Sequence, residues 1–265
     1  MYQPAPGKQY TAPSITVKGH QLQAVETFTY LGSTLSRSAN IDAEVNNRIA
    51  KASASFGRLR ENVWERRGIR RSTKLKVYHA VILTTLLYAS ETWTVYSRHA
   101  RRLNHFHLSC LRRILQIKWQ DKIPDTKVLE IAKLPSIHTL LIKNQARWAG
   151  HVARMTNERL PKQLFYGELS QGKRAVGGQK KRFRDSLKKN LIGLNIYPET
   201  WESAAQDRTR WRSLVSTGCK DIEKERIAAA KEKCRKRKER ECSNSSKAPD
   251  FNVGCVERHS WPKLV

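Results

Sequence analysis

Residues 72–89 read STKLKVYHAVILTTLLYA, and this stretch decides the class of fold. Its apolar residues recur every three or four positions, at Leu75, Tyr78, Ile82 and Leu86. This is the spacing of residues that share one face of an α-helix. Because the centre of the stretch is apolar on nearly every side, it predicts a helix that is buried among other helices.

Helical patterns continue on both sides of this stretch. Further helices are predicted at about residues 41–63, 97–116, 126–132, 136–155, 184–193, 198–205 and 207–241. Asn40 is the candidate N-cap of the first of these helices, with Glu44 in its first turn. The second half of the last helix carries dense mixed charge and few core residues, which is typical of an exposed arm.

A β-type pattern precedes the helices, between residues 15 and 36. Ile15 and Val17 alternate with polar neighbours, Lys18-Gly19 can turn the chain, and a β-rich segment follows around Phe28. We predict a small hairpin and a further strand, which need another surface to pack on. The predicted fold is therefore mainly α: a helical bundle with a small N-terminal β-hairpin and strand region and a long basic C-terminal helix.

Four regions are predicted along the chain. They are an extended lead-in with the β segment (1–36), a first helical domain (37–120), a second helical domain with a basic loop at 167–182 (121–215), and a charged helical arm with a disordered tail (216–265).

The charge of the chain indicates a polyanionic partner. Its 265 residues include 51 Lys and Arg against 23 Asp and Glu, a net charge of +28. A compact domain with this charge repels itself unless an anion neutralises it, and RNA or DNA is the anion that we expect. No apolar run approaches the ~20 residues of a membrane span. Binding to a membrane surface is the weaker hypothesis, because the basic residues lie on several helices and a loop and not on one amphipathic face, so no membrane partner is expected. The odd number of cysteines, 5, favours free thiols in an intracellular compartment, nucleus or cytoplasm.

Two clusters of basic residues accompany glycines, one around Gly68 and one around the loop 167–182. The predicted nucleic-acid-binding residues are Arg58, Arg60, Arg66, Arg67, Arg70, Arg71 and Lys74 in the first cluster, and Lys173, Arg174, Lys180, Lys181, Arg182 and Arg184 in the second. A run of charge is usually only a solvated face, but the large net charge favours contact with a phosphate backbone.

The tryptophans divide into one stacking candidate and several core candidates. Trp64 lies among charged residues and is the candidate for stacking on a base. The others lie mostly at helical core spacing and are expected to pack inside; they are Trp93, Trp119, Trp148, Trp201 and Trp211.

The sequence gives no candidate catalytic residue, metal or cofactor. It contains no Asp-Asp pair of the kind that holds two catalytic metal ions. Gly167-x4-Gly172-Lys173 has the spacing of a P-loop, but Arg174 follows where Ser or Thr is needed for Mg²⁺. A possible zinc set, formed by Cys234, Cys242, Cys255 and His259, lacks the short-spaced ligand pairs of a structural zinc site.

Seven segments in a fixed order carry a resemblance to a known family. They are FTYLGSTLS (28–36), FGRL (56–59), LLYASETWT (86–94), CLRRILQIKWQDKI (110–123), RWAGHVARM (147–155), GKR with GGQKKRFRDSLKKNL (172–191) and QDRTRWRSLV (206–215). Together they resemble the C-terminal region of reverse transcriptases from non-LTR (LINE-type) retrotransposons, and the similarity covers residues 2 to about 240.

The resemblance implies a division of roles. Residues 15–36 would match the end of the polymerase palm, 41–116 the helical thumb that holds the template–primer duplex, and the rest a domain that contacts element RNA and target DNA. In that family the catalytic Asp-Asp palm lies upstream, so we expect this chain to be a truncated fragment whose partner is that palm. The family often has a Cys/His zinc motif near its end, and the spacing here does not meet it.

Three functions stay open at this stage. The first is a non-catalytic fragment that holds RNA or DNA through basic helices and a loop, which the paucity of paired acids favours. The second is a nuclease or polymerase activity within this chain. The third is a helical interaction or scaffold module, reused by the host, whose charge keeps it soluble.

Overall fold

The computed structural model describes residues 11, 13–37, 40–167 and 182–245, with helical backbone alone for 241–245. This part of the chain is mainly helical, with a small β region near its start and a long basic helix near its end, so the predicted fold class is confirmed. The strands are β1 (Thr16–Val17), β2 (His20–Gln21), β3 (Thr27–Tyr30) and β4 (Ser33–Ser36). The helices are α1 (Asp42–Arg58), α2 (Arg71–Val77), α3 (Thr84–Leu86), α4 (Ser97–Leu115), α5 (Asp125–Ala132), α6 (Ile137–Ala153), α7 (Leu160–Tyr166), α8 (Phe183–Gly193), α9 (Trp201–Gln206) and α10 (Arg208–Ser245).

Shorter helical turns complete the secondary structure. They are π-helical turns at Arg60–Trp64 and Tyr78–Leu83, and 3₁₀ turns at Ser90–Thr92 and Trp119–Asp121. The chain divides into two units, Met1–Glu225 and Arg226–Val265. In the described ranges, no helix combines the length and the apolar character that a bilayer crossing requires.

The N-terminal strands form two antiparallel hairpins, β1–β2 and β3–β4, where one hairpin and a further strand were predicted. Lys18-Gly19 turns the first, as predicted, with positive φ at both residues. The second turn is formed by Leu31 (φ 47°) and Gly32 (φ 83°). Two positive φ angles in a two-residue loop belong to a type I′ turn. Leucine is an uncommon residue in that conformation, which is why the sequence did not mark this turn.

A buried ion pair attaches the second hairpin to α1. The Arg48 Nε donates to Glu44 Oε1 over 2.7 Å, and both side chains are buried. Glu44 also accepts from the Thr34 amide (2.6 Å), while Arg48 donates to the Gly32 carbonyl (2.5 Å). Glu44 was expected only to face the positive end of the helix, but the hairpin recruits it as a buried acceptor.

The predicted N-cap at Asn40 is wrong. The capping position is Ile41, which has no side-chain cap, and α1 begins at Asp42. The Asn40 carboxamide still accepts from the Asp42 amide, two residues further on, over 3.3 Å, but the helix begins one residue later than an N-cap at Asn40 requires.

The helix predicted at 72–89 forms the centre of the first of two apolar cores. It runs from α2 through the π-helical turn to α3, and Tyr78, Ile82 and Leu86 are fully buried. The first core also receives residues from α1, α4, α5 and the start of α6. The second core joins the remainder of α6 to α8, α9 and the first part of α10. α6 therefore contributes to both cores and positions one against the other within the first unit.

One tryptophan departs from its expected place. Trp93, Trp201 and Trp211 are buried and Trp148 is half-buried, in agreement with the core prediction. Trp119 is 84 % exposed, because it lies in the 3₁₀ turn after α4 rather than on the helix whose spacing it seemed to share.

Candidate nucleic-acid interface

The first predicted basic cluster lies on the surface where α1 ends and α2 begins. Arg58, Arg66, Arg67, Arg70 and Arg71 are exposed. Within the described part of the chain, no carboxylate forms an ion pair with any of these five residues. Their charge is therefore available to an external anion, and we call Arg66, Arg67, Arg70 and Arg71 the junction cluster.

Arg60 differs from its neighbours because it already has an ionic partner. Its Nε donates to Glu65 Oε1 over 2.5 Å, and Arg113 approaches the same oxygen at 3.6 Å. The two guanidinium groups hold the pKa of Glu65 below its usual value, chiefly through the hydrogen bond from Arg60. This exposed pair weakens the charge that Arg60 can offer to a ligand.

The predictions that Trp64 and Lys74 contact nucleic acid are wrong, because both side chains are buried. Trp64 is only 2 % exposed, its ring stacks on Phe56 with 4.9 Å between centroids, and its Nε1 donates to the Phe56 carbonyl. Lys74 is 7 % exposed and its Nζ donates to the Trp64 carbonyl over 2.7 Å. Neither side chain can reach a nucleic acid in this arrangement. Both instead stabilise the bend that exposes the junction cluster.

The second predicted cluster is described only in part. Lys173, Arg174, Lys180 and Lys181 lie outside the described residues, as does most of the loop. Arg182 is exposed next to α8, and its amide donates to Asp185 Oδ2 over 3.1 Å. The Arg184 guanidinium lies 5.6 Å from the centroid of the Tyr166 ring, a cation–π contact that holds it on α7.

Much of the basic face of α4 is neutralised by acids. Arg98 pairs with Asp42 at 2.5 Å, and Arg112 pairs with Asp125 at 2.7 Å. Arg101 and Arg102 are exposed on the same helix. Part of the positive charge of this helix is therefore taken up by internal ion pairs.

A third basic site, which the sequence analysis missed, lies between α6 and the start of α10. It is a concave site of about 470 Å³, and we call it the arginine pocket. Its lining residues are Glu91, Asn144, Arg147, Trp148, His151, Arg154, Arg208, Trp211 and Arg212. Arg147 and His151 lie on successive turns of α6, and Arg154 is the residue that caps its C-terminus. Arg208 and Arg212 lie on successive turns of α10.

Close packing of the two helices forms the floor of the arginine pocket. Trp211 is 1 % exposed and its Nε1 donates to the Ala146 carbonyl over 3.1 Å. A Cβ at Gly150 would lie 2.1 Å from that same Nε1 atom. Only glycine leaves room for the indole at this point, so Gly150 and Trp211 together fix the distance between the two arginine-bearing faces.

The positive charges of the arginine pocket outnumber its one lining carboxylate, that of Glu91. Burial lowers the pKa of Arg154, and the positive charges of Arg208 and Arg212 lower it further. Across the described ranges, no ion pair joins a carboxylate to the four arginines of the pocket. Glu91 lines the pocket. Asp207, which precedes Arg208 in the sequence, accepts from the Thr209 and Arg210 amides through its carboxylate. Such a site attracts anions.

The sequence spacing indicates the two basic helix faces, but not the arginine pocket that they form together. Arg147-x3-His151-x2-Arg154 and Arg208-x3-Arg212 each place cations on one face of a predicted helix. These segments were quoted for the family resemblance alone, because nothing in the sequence says that the two faces meet.

The three described cysteines, Cys110, Cys219 and Cys234, form no disulfide. Burial raises the pKa of Cys110 to about 12 and also raises that of Cys219. Cys234 is exposed on α10. No group of three or more His, Cys, Asp or Glu side chains in the described ranges is arranged to hold a metal. Cys255 and His259 of the possible zinc set lie outside those ranges, as does the predicted disordered tail after 245, and Cys242 is described only as helical backbone.

The comparisons with known proteins point to mobile genetic elements. The chain is 26 % identical, over 221 residues, to an uncharacterized transposon-derived protein of Caenorhabditis elegans. The match covers 79 % of this chain and 76 % of that protein. No protein-family model and no solved structure matches the chain. The likeness is consistent with a transposon origin for this chain.

Proposed function

We propose that this chain is a non-catalytic nucleic-acid-binding protein that holds RNA or DNA through the phosphate backbone. The observation that carries the proposal is the set of surface arginines without carboxylate partners, at the junction cluster and in the arginine pocket. These arginines are gathered in two places on one unit, and the chain as a whole has a net charge of +28.

The proposed origin is the thumb and C-terminal region of a non-LTR retrotransposon reverse transcriptase. The seven segments in family order support it, and the transposon-derived relative supports the coarser statement of a transposon origin. In this proposal the ligand is a template–primer duplex or element RNA, the natural partner is a polymerase palm domain, and the protein acts in the nucleus or cytoplasm.

We propose no catalysis by this chain alone. Two-metal phosphoryl transfer needs closely placed carboxylates, and the sequence has no adjacent aspartates. Incubation of the purified protein with a labelled primer–template, nucleotides and Mg²⁺ or Mn²⁺ should therefore give neither extension nor cleavage. Extension or cleavage that survives repurification would contradict this part of the proposal.

The binding mode predicts a steep dependence on salt. Each phosphate that a cation neutralises releases condensed counterion, so log Kobs should fall linearly with log salt, by about 0.9 for each phosphate on duplex DNA. Fluorescence anisotropy measures this dependence of Kobs on salt, with two duplexes of unrelated sequence between about 50 and 300 mM salt, where the release of counterions has a large effect. A flat response, or strong preference for one sequence, would contradict backbone binding.

An exposed apolar surface favours a second candidate function, that of a protein-interaction module. Phe28, Tyr30 and Leu31 lie on the second hairpin with about half or more of each side chain exposed. Leu35 is also exposed on the paired strand. If this candidate is correct, the protein purifies without nucleic acid, with or without nuclease treatment, and shows no anisotropy change with any duplex.

A further inference from the structure

We propose that the arginine pocket binds a phosphomonoester, the terminal phosphate group of a nucleic-acid strand. The inference rests on the proposed function and makes it more specific. The junction cluster would hold the backbone along its length, and the arginine pocket would hold an end.

The first argument is the convergence of donors. Five cationic or potentially cationic side chains from two helices line one concavity, namely Arg147, His151, Arg154, Arg208 and Arg212. Guanidinium groups match the paired oxygens of phosphate with two parallel hydrogen bonds. Several such groups around one space can contact the separate oxygens of a single phosphate, whereas arginines on a flat face contact successive phosphates.

The second argument compares the charges of the possible ligands. An internal phosphodiester carries one negative charge, but a phosphomonoester carries about −1.5 to −2 near neutral pH and has three free oxygens. The pocket arginines have no carboxylate pairs among the described residues. Burial lowers the pKa of Arg154, and the positive charges of Arg208 and Arg212 add to this effect. The dianionic ligand therefore relieves more of this repulsion than the monoanionic one.

The third argument is shape. The concave site of about 470 Å³ bounded by α6 and α10 has room for a terminal nucleotide. Trp148 lines the same pocket, and its ring is held by Phe165 at 5.9 Å and Phe183 at 5.7 Å between centroids. A fixed aromatic surface beside the cations suits the sugar and base of the last nucleotide.

The rigidity of the site supports a dedicated role. Arg154 donates to the Ala205 carbonyl over 2.5 Å, which ties it to the end of α9. Gly150 and Trp211 set the separation of α6 and α10. A preformed site loses little entropy when the ligand binds, so it can discriminate between similar ligands.

The test compares oligonucleotides of one sequence that differ only at their ends. The ends are a 5′-phosphate, a 3′-phosphate or hydroxyl groups, and binding to the full chain is measured by anisotropy at constant salt. We expect a phosphorylated end to strengthen binding by about five-fold or more, the effect of one or two additional charge-assisted hydrogen bonds. The double variant Arg147→Gln/Arg212→Gln should abolish this preference; Arg154 is left in place because it also holds α9.

The matched control removes the same charge from the junction cluster. Arg66→Gln/Arg70→Gln should weaken binding of all the oligonucleotides while leaving the preference for a phosphorylated end intact. Equal binding of phosphorylated and unphosphorylated ends by the wild-type protein would overturn the proposal. So would an equal loss of the preference in both double variants, since the preference would then reflect overall charge alone.

A second readout separates this inference from the proposed function. Inorganic phosphate should raise the Tm of the wild-type protein, relative to chloride at equal ionic strength, by more than it raises that of Arg147→Gln/Arg212→Gln. Its general stabilising effect acts on both proteins, whereas binding to the site acts only on the wild type. If no oligonucleotide binds but this difference in Tm is found, the proposed function fails and the phosphate site stands. If oligonucleotides bind and the Tm difference is absent, the phosphate site fails alone.

Discussion

Gly150 is the residue on which the geometry of the arginine pocket depends. Replacement by alanine would place a Cβ 2.1 Å from Trp211 Nε1 and 2.5 Å from its Cδ1. Because Trp211 is buried and donates to the Ala146 carbonyl, the indole cannot move without losing packing and a hydrogen bond. We expect Gly150→Ala to lower the free energy of unfolding by about 1–3 kcal/mol, the usual cost of overpacking. Urea denaturation measures this change.

Gly57 provides the control for that substitution. It also lies in a helix, α1, but a Cβ there would meet no atom within 4 Å. Gly57→Ala should be neutral or stabilising by up to about 1 kcal/mol, because alanine has the higher helix propensity. Equal stability of the Gly150→Ala and Gly57→Ala proteins would show that Trp211 does not constrain residue 150.

His107 makes the protein sensitive to acid. It is fully buried, its Nδ1 lies 2.8 Å from the Tyr78 hydroxyl, and burial lowers its pKa to about 4. In the unfolded chain its pKa is about 6.5, so below that pH the unfolded state binds a proton that the native state does not. Stability is full above pH 6.5 and falls until about pH 4. The two pKa values correspond to a loss of about 3 kcal/mol.

Unfolding in urea at pH 7 and pH 4.5 tests the role of His107. His107→Gln removes the titrating group. Between pH 7 and pH 4.5 this variant should therefore lose less free energy of unfolding than the wild type does, and the difference should be most of the about 3 kcal/mol given above. His105→Gln, at an exposed position of the same helix, should retain the wild-type dependence on pH. If all three proteins lose the same stability on acidification, His107 is not responsible.

At the scale of elements, the second hairpin depends on one buried ion pair. Arg48→Met removes the hydrogen bond to the Gly32 carbonyl and leaves the Glu44 carboxylate buried without its partner. Breaking such a pair from one side costs about 3–5 kcal/mol. We expect that loss in urea unfolding, together with faster hydrogen exchange of the Thr34 amide, which donates to Glu44.

A second substitution separates loss of the charge pair from loss of packing. Glu44→Gln combined with Arg48→Met removes the unpaired charge but keeps an acceptor for the Thr34 amide, so part of the stability should return. A double variant no more stable than Arg48→Met would indicate that the alkyl chain of Arg48 and its contact with the Tyr88 ring, 4.4 Å away, matter more than the charge.

Helices could be predicted from the sequence because their signal is local. Apolar residues at helical spacing located the central helix at 72–89 and its neighbours to within a few residues. The dense mixed charge of the last helix predicted an exposed arm, and the second half of α10 is exposed. Its charges pair along the helix: Arg235 pairs with Glu232 at 2.7 Å and with Glu239 one turn later. α7 (Leu160–Tyr166) was missed because its apolar residues do not mark one buried face: Leu160 and Leu164 are exposed, and only Phe165 is buried.

At the scale of the whole molecule, the features that could not be predicted from the sequence depend on contacts between segments that are distant along the chain. Trp64 and Lys74 resemble exposed binding residues in sequence, and only the packing of α1 against the following turn and α2 places them inside. The arginine pocket joins Arg154 to Arg208 across more than fifty residues, and no local pattern specifies that distance. Charge could be counted from the sequence, but which arginines lack acid partners depends on the fold.

The central claim is that nucleic acid binds to arginines that the fold leaves without acid partners. Arg66, Arg67 and Arg70 belong to the junction cluster, and no carboxylate among the described residues forms an ion pair with them. Lys231, Lys233 and Lys238 are equally exposed on the second unit and carry the same total charge. Net charge alone therefore predicts equal effects for the two sets, whereas the position of the charge predicts different ones.

The most direct measurement is the slope of log Kobs against log salt for binding to a DNA duplex. It is compared between the wild type and two triple variants, Arg66→Gln/Arg67→Gln/Arg70→Gln and Lys231→Gln/Lys233→Gln/Lys238→Gln. If the junction cluster contacts phosphates, its variant should have a log Kobs against log salt slope shallower by about 3, close to 0.9 for each lost contact, and weaker binding at every salt concentration. The lysine variant should keep a slope near that of the wild type. Equal slopes for the two variants would contradict the account.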